Sequence, residues 1–354
     1  MSLKYLHLSV FFDSVQRHGG TKRSQQLVEV LSELGIKSFN PVKPIKNSVQ
    51  FSLKHPILLL QSTLFAIYLF LFKGVNLKGT IQFALRASYP IYLLRKFKPD
   101  ILLHETAPGF TLIFMHYLKW KSIKYIAIPH NIEFMVPNQN HSGFRSLAAA
   151  FENEIEGYRS ASSVKVICDY DKSVLACLGI NSTVFAYYPI KEDLKSFSEV
   201  RKFRTQQVFK KTYLAMGTIG NKPTYDGAKA LLEFTRRQIN DLNLIVAGYG
   251  TEQFSDYHSE SVSVLGGVDS ATLDNLLKNS KALLINQPQT TGFLTKIVEF
   301  NLCGIPMLVL SDYAQARNLQ DFGIYCVRIN EIDKAEVQPP SCFFEKPCVN
   351  DLIL

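Results

Sequence analysis

A short polar segment in the second half of the chain precedes a predicted helix that carries a lysine and a glutamate. The segment Gln289–Phe293 holds two threonines and a glycine, and Lys296 and Glu299 follow it three residues apart on one helix face. If Thr290 or Thr291 caps this helix, the amides of its first turn can attract an anion such as a diphosphate. A lysine beside that diphosphate and a carboxylate that accepts two ribose hydroxyls would form a nucleotide site. The alternative is an exposed pair of charges on an ordinary helix.

Two glycines and a histidine in the first half could also approach a ligand. Gly19 and Gly20 lie between a predicted strand over Tyr5–Phe12 and a predicted helix, where a glycine lets the backbone approach a bulky group. A simple tight turn has the same signature. His130 follows a predicted strand over Tyr125–Ile128, and the alternative for it is a hydrogen-bonded loop histidine.

The elements that would position these residues alternate between strands and helices. Strands are predicted over 5–12, 101–103, 125–128, 163–167, 213–216, 243–247, 262–265, 282–285 and 307–310. Because strands separated by helices form parallel sheets with right-handed crossovers, we predict an α/β protein with two Rossmann-like domains whose sheets face a central cleft. The predicted domains cover 1–190 and 212–354, and a polar linker over 191–211 joins them. In such sheets the ligand lies beyond the carboxyl ends of the strands.

Six short motifs, taken together, carry a resemblance to a known enzyme family. They are Gly19-Gly20-Thr21, Lys98-Pro99-Asp100-Ile101, Pro129-His130-Asn131-Ile132-Glu133, Leu244–Gly250, Leu265-Gly266-Gly267-Val268 and Lys296–Pro306. Their order and spacing resemble the retaining GT-B glycosyltransferases of family four, over the chain to about residue 330. The resemblance implies the GT-B fold, with acceptor binding in the first domain and nucleotide-sugar binding in the second. It also implies sugar transfer from a UDP- or GDP-sugar with retention of configuration, without a metal, a cofactor or a protein nucleophile.

The resemblance further assigns roles to individual residues. Glu299 would bind ribose, Lys296 would stabilise the leaving diphosphate, and His130 would contact the transferred sugar; these are the predicted catalytic residues. The predicted donor-binding residues are Gly19, Gly20, Gly217, Thr218, Lys222, Gly248, Val268, Ser270, Thr290, Thr291 and Gly292. The predicted acceptor-binding residues are His104, Glu105, Asn131 and Glu133.

Two residues depart from the family pattern. Thr291 stands where the family often has a second glutamate that touches the donor sugar, so the sequence leaves the donor open. Thr218 stands where an arginine is common, and Lys222 is its displaced substitute. The acceptor and the linkage formed are also left open.

Composition and charge separate the two halves of the 354-residue chain. With 47% hydrophobic and 19% charged residues, the chain can bury sizeable cores and is too apolar for a disordered protein. Residues 1–190 hold 21 basic and 11 acidic side chains, whereas residues 191–354 hold 18 and 19. An anionic partner should therefore meet the first half. From charge alone, ordinary lysine-rich solubilisation explains the excess equally well.

One apolar segment raises the question of membrane contact. Residues 57–72 would form a helix about 24 Å long, which is shorter than the roughly 30 Å hydrocarbon core of a bilayer. A membrane span is therefore not expected, and the segment is either a core helix or a helix lying in a bilayer surface. The basic residues around it favour an anionic membrane surface, and we expect a cytoplasmic protein peripheral to the inner face of that membrane. These residues are Lys54, Lys73, Lys78, Arg86, Arg95, Lys96 and Lys98.

The cysteines and the N-terminus narrow the cellular setting. The six cysteines form no C-x-x-C pair and no zinc pattern, so we expect no metal site and small, buried, reduced side chains. The apolar run Tyr5–Phe12 is followed by no small-residue cleavage site, which argues against a signal peptide.

Three other functions stay open. A non-catalytic GT-B subunit that binds a glycan or a partner enzyme would explain Thr218, Thr291 and the short C-terminal tail. A nucleotide-sugar epimerase of the same fold would need further acid/base residues that the sequence does not reveal. Nucleic-acid binding ranks last, because the basic residues lack interleaved aromatic residues for base stacking.

Overall fold

The computed structural model resolves the chain into two compact units. Unit 1 comprises Met1–Tyr187, Thr291–Phe293 and Pro347–Leu354, and unit 2 comprises Tyr188–Thr290 and Leu294–Lys346. The structure describes residues 3–11, 19–41, 45–136, 143–209, 211–220, 222–237, 242–287, 293–310, 324–327, 332, 335–341 and 344–353.

Unit 1 is built on a six-stranded parallel sheet in the spatial order β2-β1-β3-β4-β5-β6. Its strands are β1 (Tyr5–Leu8), β2 (Ser38–Phe39), β3 (Ile101–Thr106), β4 (Tyr125–Pro129), β5 (Ser163–Val166) and β6 (Thr183–Val184). Its helices are α1 (Gly19–Glu33), α2 (Ile45–Lys54), α3 (Pro56–Phe72), α4 (Leu77–Arg86), α5 (Ser88–Phe97), α6 (Phe110–Trp120), α7 (Leu147–Ser160), α8 (Asp169–Cys177) and α13 (Asn350–Ile353). A 3₁₀ turn covers Glu133–Met135.

The core of unit 1 is built on strands that are buried on both faces. In the register of β1 and β3, Leu6 pairs with Leu102 and His7 pairs with Leu103, and all four side chains are buried. Parallel strands covered by helices on both sides bury both faces in this way, and they are therefore rich in apolar residues. Helix α6 is buried around its whole circumference from Phe110 to Leu118, which explains why it lacks a polar face.

Unit 2 repeats the architecture with a second six-stranded parallel sheet, in the order β12-β11-β10-β7-β8-β9. Its strands are β7 (Thr212–Met216), β8 (Asn243–Ala247), β9 (Val262–Gly266), β10 (Ala282–Ile285), β11 (Met307–Val309) and β12 (Ile324–Cys326). Its helices are α9 (Lys191–Arg204), α10 (Lys222–Arg237), α11 (Ser270–Asn279) and α12 (Thr295–Leu302), with a 3₁₀ segment over Thr251–Tyr257.

The segment predicted as a linker is largely helix α9, and it belongs to unit 2. Its last residue, Arg204, is buried and donates hydrogen bonds to the carbonyl oxygens of Leu277, Ser280 and Gly304 at 2.6–3.1 Å. Burial lowers the pKa of Arg204 to about 10, so the guanidinium stays charged at neutral pH. Over 191–204 the structure therefore differs from the predicted linker, because Val200, Arg201 and Arg204 attach a polar helix to the domain.

The C-terminal tail, predicted as part of the second domain, packs in unit 1. Leu352 of α13 is fully buried in a cluster with Leu27 and Leu31 of α1. Lys165 of β5 donates a hydrogen bond to the carbonyl oxygen of Asp351 at 2.7 Å. These contacts assign Pro347–Leu354 to unit 1.

The cysteines differ from the expectation of burial. Cys303 is buried, whereas Cys177, Cys326 and Cys348 are exposed. Cys342 lies outside the described residues.

Candidate functional site

The carboxyl ends of three neighbouring strands in unit 2 are joined closely by glycines. Gly217 follows β7 and donates its N–H to Ala247 at 3.2 Å, and Gly248 follows β8 and donates to Gly266 at 2.8 Å. Gly248 has a φ of +132°, and a Cβ there would lie 2.2 Å from the carbonyl oxygen of Gly217. Only glycine fits this position, so the edge of the sheet presents bare backbone, as the predicted donor-binding roles of Gly217 and Gly248 require.

Lys296 of α12 reaches this edge. Its Nζ donates a hydrogen bond to the carbonyl oxygen of Met216, the last residue of β7, at 3.1 Å. Burial lowers the pKa of Lys296 to about 8. No carboxylate among the described residues lies within ion-pair distance of this ammonium. A charge that is desolvated and lacks a counter-ion is suited to a phosphate ligand.

A small cavity lies beside Lys296, under the first turns of α10. Its volume is about 30 Å³, which is room for one or two water-sized groups and too little for a whole nucleotide sugar. The polar groups of its wall include Gly217, Thr224, Asn286, Gln287 and Lys296. The cavity is therefore the floor of a candidate anion site at the strand ends.

Glu299 lies one turn beyond Lys296 on α12, as predicted, and is only 5% exposed. The predicted capping and diphosphate residues Thr290, Thr291 and Gly292 lie outside the described residues.

The predicted basic substitute Lys222 is occupied by another partner. It begins α10 and pairs with Asp226 at 2.8 Å, one helical turn away, and both side chains are largely exposed. Thr218 is half-buried in the loop between β7 and α10. Lys222 therefore faces Asp226 and is not preorganised to contact an anion. Because an exposed ion pair is weak, an anion could still compete with Asp226 for this lysine.

The two residues predicted to flank the base follow β9. Val268 is half-buried, and Ser270 is exposed as the first residue of α11. Asp269 between them caps the helix by accepting the N–H of Thr272 at 2.7 Å.

Unit 1 contains a buried carboxylate bracketed by two histidines. Glu105 of β3 is fully buried; its Oε2 lies 3.0 Å from Nε2 of His130, and its Oε1 lies 2.9 Å from Nε2 of His7. The hydroxyl of Ser24 and the N–H of Val10 donate to the same Oε2. Burial alone would raise the pKa of Glu105, but the hydrogen bonds and charges of the histidines outweigh it and hold that pKa well below its usual range. The cluster fixes the ring of His130 at the carboxyl end of β4.

The predicted acceptor residues are mostly inaccessible. His104, Glu105 and Glu133 are at most 6% exposed, and only Asn131 is half-buried. His104 Nε2 lies 2.9 Å from the carbonyl oxygen of Thr111, and burial lowers the pKa of His104 to about 4, so this ring is neutral. Direct contact of these three residues with an acceptor does not fit their burial. Glu105 instead holds His130.

A second buried carboxylate holds the loop that follows His130. Glu154 of α7 accepts the N–H groups of Glu133 and Phe134, each at 2.9 Å, and the hydroxyl of Tyr158 at 2.7 Å. Burial raises the pKa of Glu154 to about 7 despite these donors. Glu154 therefore fixes the backbone just beyond His130.

Gly19 and Gly20 lie in the first turn of α1, not in a loop before it. The helix begins at Gly19 and places Ser24 against Glu105 one turn later. The role predicted for the two glycines, close approach of the backbone to a phosphate, stays a prediction at this helix N-terminus.

Two residues that contact Glu105 are not predicted from the sequence. His7 and Ser24 look like an isolated polar residue in a strand and a surface helix residue, yet both are fully buried. The sequence does contain one indication, which is His7 itself. A polar side chain inside an apolar strand needs a buried hydrogen-bonding partner.

Comparisons with known proteins identify the fold. No family model and no curated protein matches the sequence. Sucrose-phosphate synthase from Thermosynechococcus elongatus is 12% identical, with a TM-score of 0.64 over 94% of this chain and 88% of that one. UDP-GlcNAc 2-epimerase from Methanocaldococcus jannaschii, in complex with UDP-GlcNAc and UDP, is 13% identical. The TM-score is 0.52, and the match covers 97% of this chain and 96% of the epimerase. TarM is 14% identical, with a TM-score of 0.50. The match covers 70% of this chain, and this chain spans about half the length of TarM.

Identities of this size establish the fold alone, and the fold agrees with the two parallel six-stranded sheets. The predicted fold class is confirmed: the chain has the two-domain Rossmann-like GT-B fold of these glycosyltransferases and epimerases.

Proposed function

We propose that the protein is a retaining, metal-independent glycosyltransferase. It transfers a sugar from a UDP- or GDP-sugar to a lipid-linked or cell-surface glycan, at the cytoplasmic face of the membrane. The observation that carries the proposal is Lys296, a desolvated ammonium beside the glycine-lined strand ends of unit 2, with the buried Glu299 one turn away. A fold neighbour in complex with UDP-GlcNAc and UDP supports the use of a nucleotide sugar.

The proposed chemistry relies on charge stabilisation where negative charge develops. As the bond to the diphosphate breaks, the ammonium of Lys296 stabilises the leaving oxygens. Glu299 accepts the ribose hydroxyls and sets the position of the nucleotide. Because no carboxylate in the described part of the chain pairs with Lys296, none of those groups has to move when the anion arrives.

The test is a donor assay with matched variants. The purified protein is incubated with UDP- and GDP-sugars and a lipid-diphosphate acceptor, and release of the nucleotide and transfer of the sugar are measured. Lys296→Met and Glu299→Ala should each abolish most donor use. Lys229→Met is the matched control, since Lys229 is an exposed lysine of unit 2 that faces Glu233 at 3.9 Å. If the protein shows no sugar transfer and no donor hydrolysis with any of the common donors, the proposal is refuted.

An epimerase is the second candidate, because the M. jannaschii epimerase matches over nearly the whole length of both chains. The two reactions are separable without an acceptor. Inversion at a sugar carbon breaks a C–H bond, so an epimerase run in D₂O incorporates deuterium into the nucleotide sugar, whereas a glycosyltransferase leaves that carbon unlabelled. Calorimetry with UDP and GDP separates both from a non-catalytic subunit, which should bind neither nucleotide.

A further inference from the structure

Helix α3 presents apolar side chains to solvent on one face. We call this set the outward face of α3: Ile57, Leu60, Leu64, Ile67 and Leu71. Each of these side chains is between 48% and 75% exposed. Their spacing of three and four residues places them in one stripe along the helix. Phe72 at the end of α3 and Leu77 of α4 are also more than 60% exposed, so the apolar surface continues beyond the stripe.

The opposite face of α3 belongs to the core of unit 1. Leu58, Phe65 and Leu69 are buried, and Phe65 stacks on Trp120 with ring centroids 5.0 Å apart. No charged residue occurs between Pro56 and Phe72. The helix is therefore apolar around its circumference, although only one face is covered by protein. A water-soluble surface helix would carry polar residues on the other face.

The segment that carries α3 has charges of one sign, and the carboxylate that meets it is Glu156 of α7, which pairs with Lys73 at 2.7 Å. Residues 34–99 contain ten lysines and arginines and no aspartate or glutamate. Lys54, before α3, and Lys78, in the first turn of α4, are exposed. Lys121 lies 3.7 Å from the ring centroid of Trp120, which is itself 53% exposed. An apolar stripe in a basic segment, with exposed lysines on both sides of it along the chain and an exposed tryptophan packed on the same helix, matches the interface of an anionic bilayer.

The length of α3 fits a helix lying in the bilayer surface. It has 17 residues and is about 25 Å long, below the roughly 30 Å that a membrane core requires. Among the described residues no single helix is long and apolar enough to cross a membrane. Helices α2 and α3 reach that length and hydropathy only together, as a pair bent by 113°. The inner face is held in the core, so only the outward face is available to lipid.

We propose that the outward face of α3 docks unit 1 onto an anionic membrane surface, with its aliphatic side chains inserted among the lipids. The inference extends the proposed transfer at the membrane face. A second copy of the chain is a poorer occupant, because two such faces would bring cations together with no acidic residue between residues 34 and 99 to pair with them.

The test uses the full chain and its single tryptophan. Trp120 emission and flotation are measured with vesicles of phosphatidylcholine alone and with about 30% phosphatidylglycerol. We expect binding to the anionic vesicles, a blue shift of Trp120 emission, and quenching by lipids brominated on their acyl chains. Leu60→Gln/Leu64→Gln should lower the vesicle partition coefficient at least about tenfold. Lys54→Ser/Lys78→Ser should lower it roughly tenfold or more at low salt.

The control and the refuting outcomes are equally specific. Leu3→Gln/Leu34→Gln removes two exposed leucines of unit 1 that lie outside α3 and its neighbours α2 and α4, and this variant should bind as the wild type does. Unchanged binding by the α3 variant, no quenching of wild-type Trp120, or equal binding to neutral vesicles would each overturn the proposal. So would a concentration-dependent dimer that Leu60→Gln/Leu64→Gln abolishes. UDP calorimetry on the same variant should match the wild type, so a failure of docking is distinguishable from a failure of the donor site.

Discussion

Replacing Glu105 by glutamine is the sharpest test of the buried cluster in unit 1. The side chain keeps its shape and loses its charge. Three donors, from Val10, Ser24 and His130, converge on Oε2, so the amide oxygen of the glutamine must take that place. The amide NH₂ then faces Nε2 of His7. That nitrogen can accept its hydrogen bond if the proton of His7 moves to Nδ1, which lies 2.9 Å from the hydroxyl of Ser38.

The expected loss of stability follows from the type of hydrogen bond. Bonds to a charged group contribute about 1.5–3 kcal/mol and neutral ones about 0.5–1.5 kcal/mol, so three weakened bonds amount to about 3 kcal/mol. Glu105→Ala leaves the donors without an acceptor and should remove more than about 4 kcal/mol. Glu156→Gln is the control, because that partly exposed carboxylate pairs with Lys73 and should contribute at most about 1 kcal/mol.

The assay is urea unfolding followed by the fluorescence of Trp120, which lies in unit 1 and is the only tryptophan. Because the pKa of Glu105 is held low in the folded state, its contribution is complete above the unfolded pKa of about 4.3 and is lost as pH falls through the folded pKa. The gap between wild type and Glu105→Gln should therefore be full at pH 6 and shrink towards pH 3. Equal stability at pH 6, or a gap independent of pH, would refute the assignment of Glu105 as an ionised carboxylate.

Three further outcomes are expected. UDP should bind more weakly as pH rises through about 8, where Lys296 loses its proton, and calorimetry with Lys296→Met should remove that pH dependence. Because burial raises the pKa of Glu154 to about 7, the folded state holds this proton and loses stability as pH rises from about 4.3 to about 7; urea unfolding of Glu154→Gln should lack this slope. Gly248→Ala places a Cβ 2.2 Å from the oxygen of Gly217 and should destabilise unit 2 by about 1–3 kcal/mol, measured by circular dichroism in urea.

Much of the fold can be predicted because buried parallel strands are short apolar runs, some of which end at glycine. The predicted bounds of β8 and β10 agree with the structure residue for residue, and Gly248 marks the end of β8. The two-residue strands β2 and β6 escape prediction, since they are too short for any periodicity to show. Helix α9 escapes for another reason. Its composition is that of a linker, and its attachment to unit 2 depends on the burial of Val200 and Arg204 and on hydrogen bonds such as that of Ser196 to Asp274, none of which the sequence shows.

Some features of the candidate site can be predicted from the sequence, and others cannot. The spacing of Lys296 and Glu299 on one helix is visible in the sequence, because it depends on local periodicity. The burial of Glu105 depends on contacts with His7 and Ser24, which are about 100 and 80 residues away along the chain. A glutamate at the end of a strand therefore looks the same whether it faces a substrate or supports another side chain.

The support that Glu105 gives to His130 also determines what that ring can do. If Nε2–H of His130 donates to the carboxylate 3.0 Å away and Nδ1 carries no proton, the ring presents Nδ1 as an acceptor. An acceptor nitrogen suits a sugar hydroxyl and repels a phosphate oxygen, so His130 fits the transferred sugar better than the diphosphate. Glu105→Gln keeps an oxygen at this position and preserves the tautomer, whereas Glu105→Ala frees it. If His130 acts in this way, transfer should survive Glu105→Gln far better than Glu105→Ala at temperatures where both variants are folded.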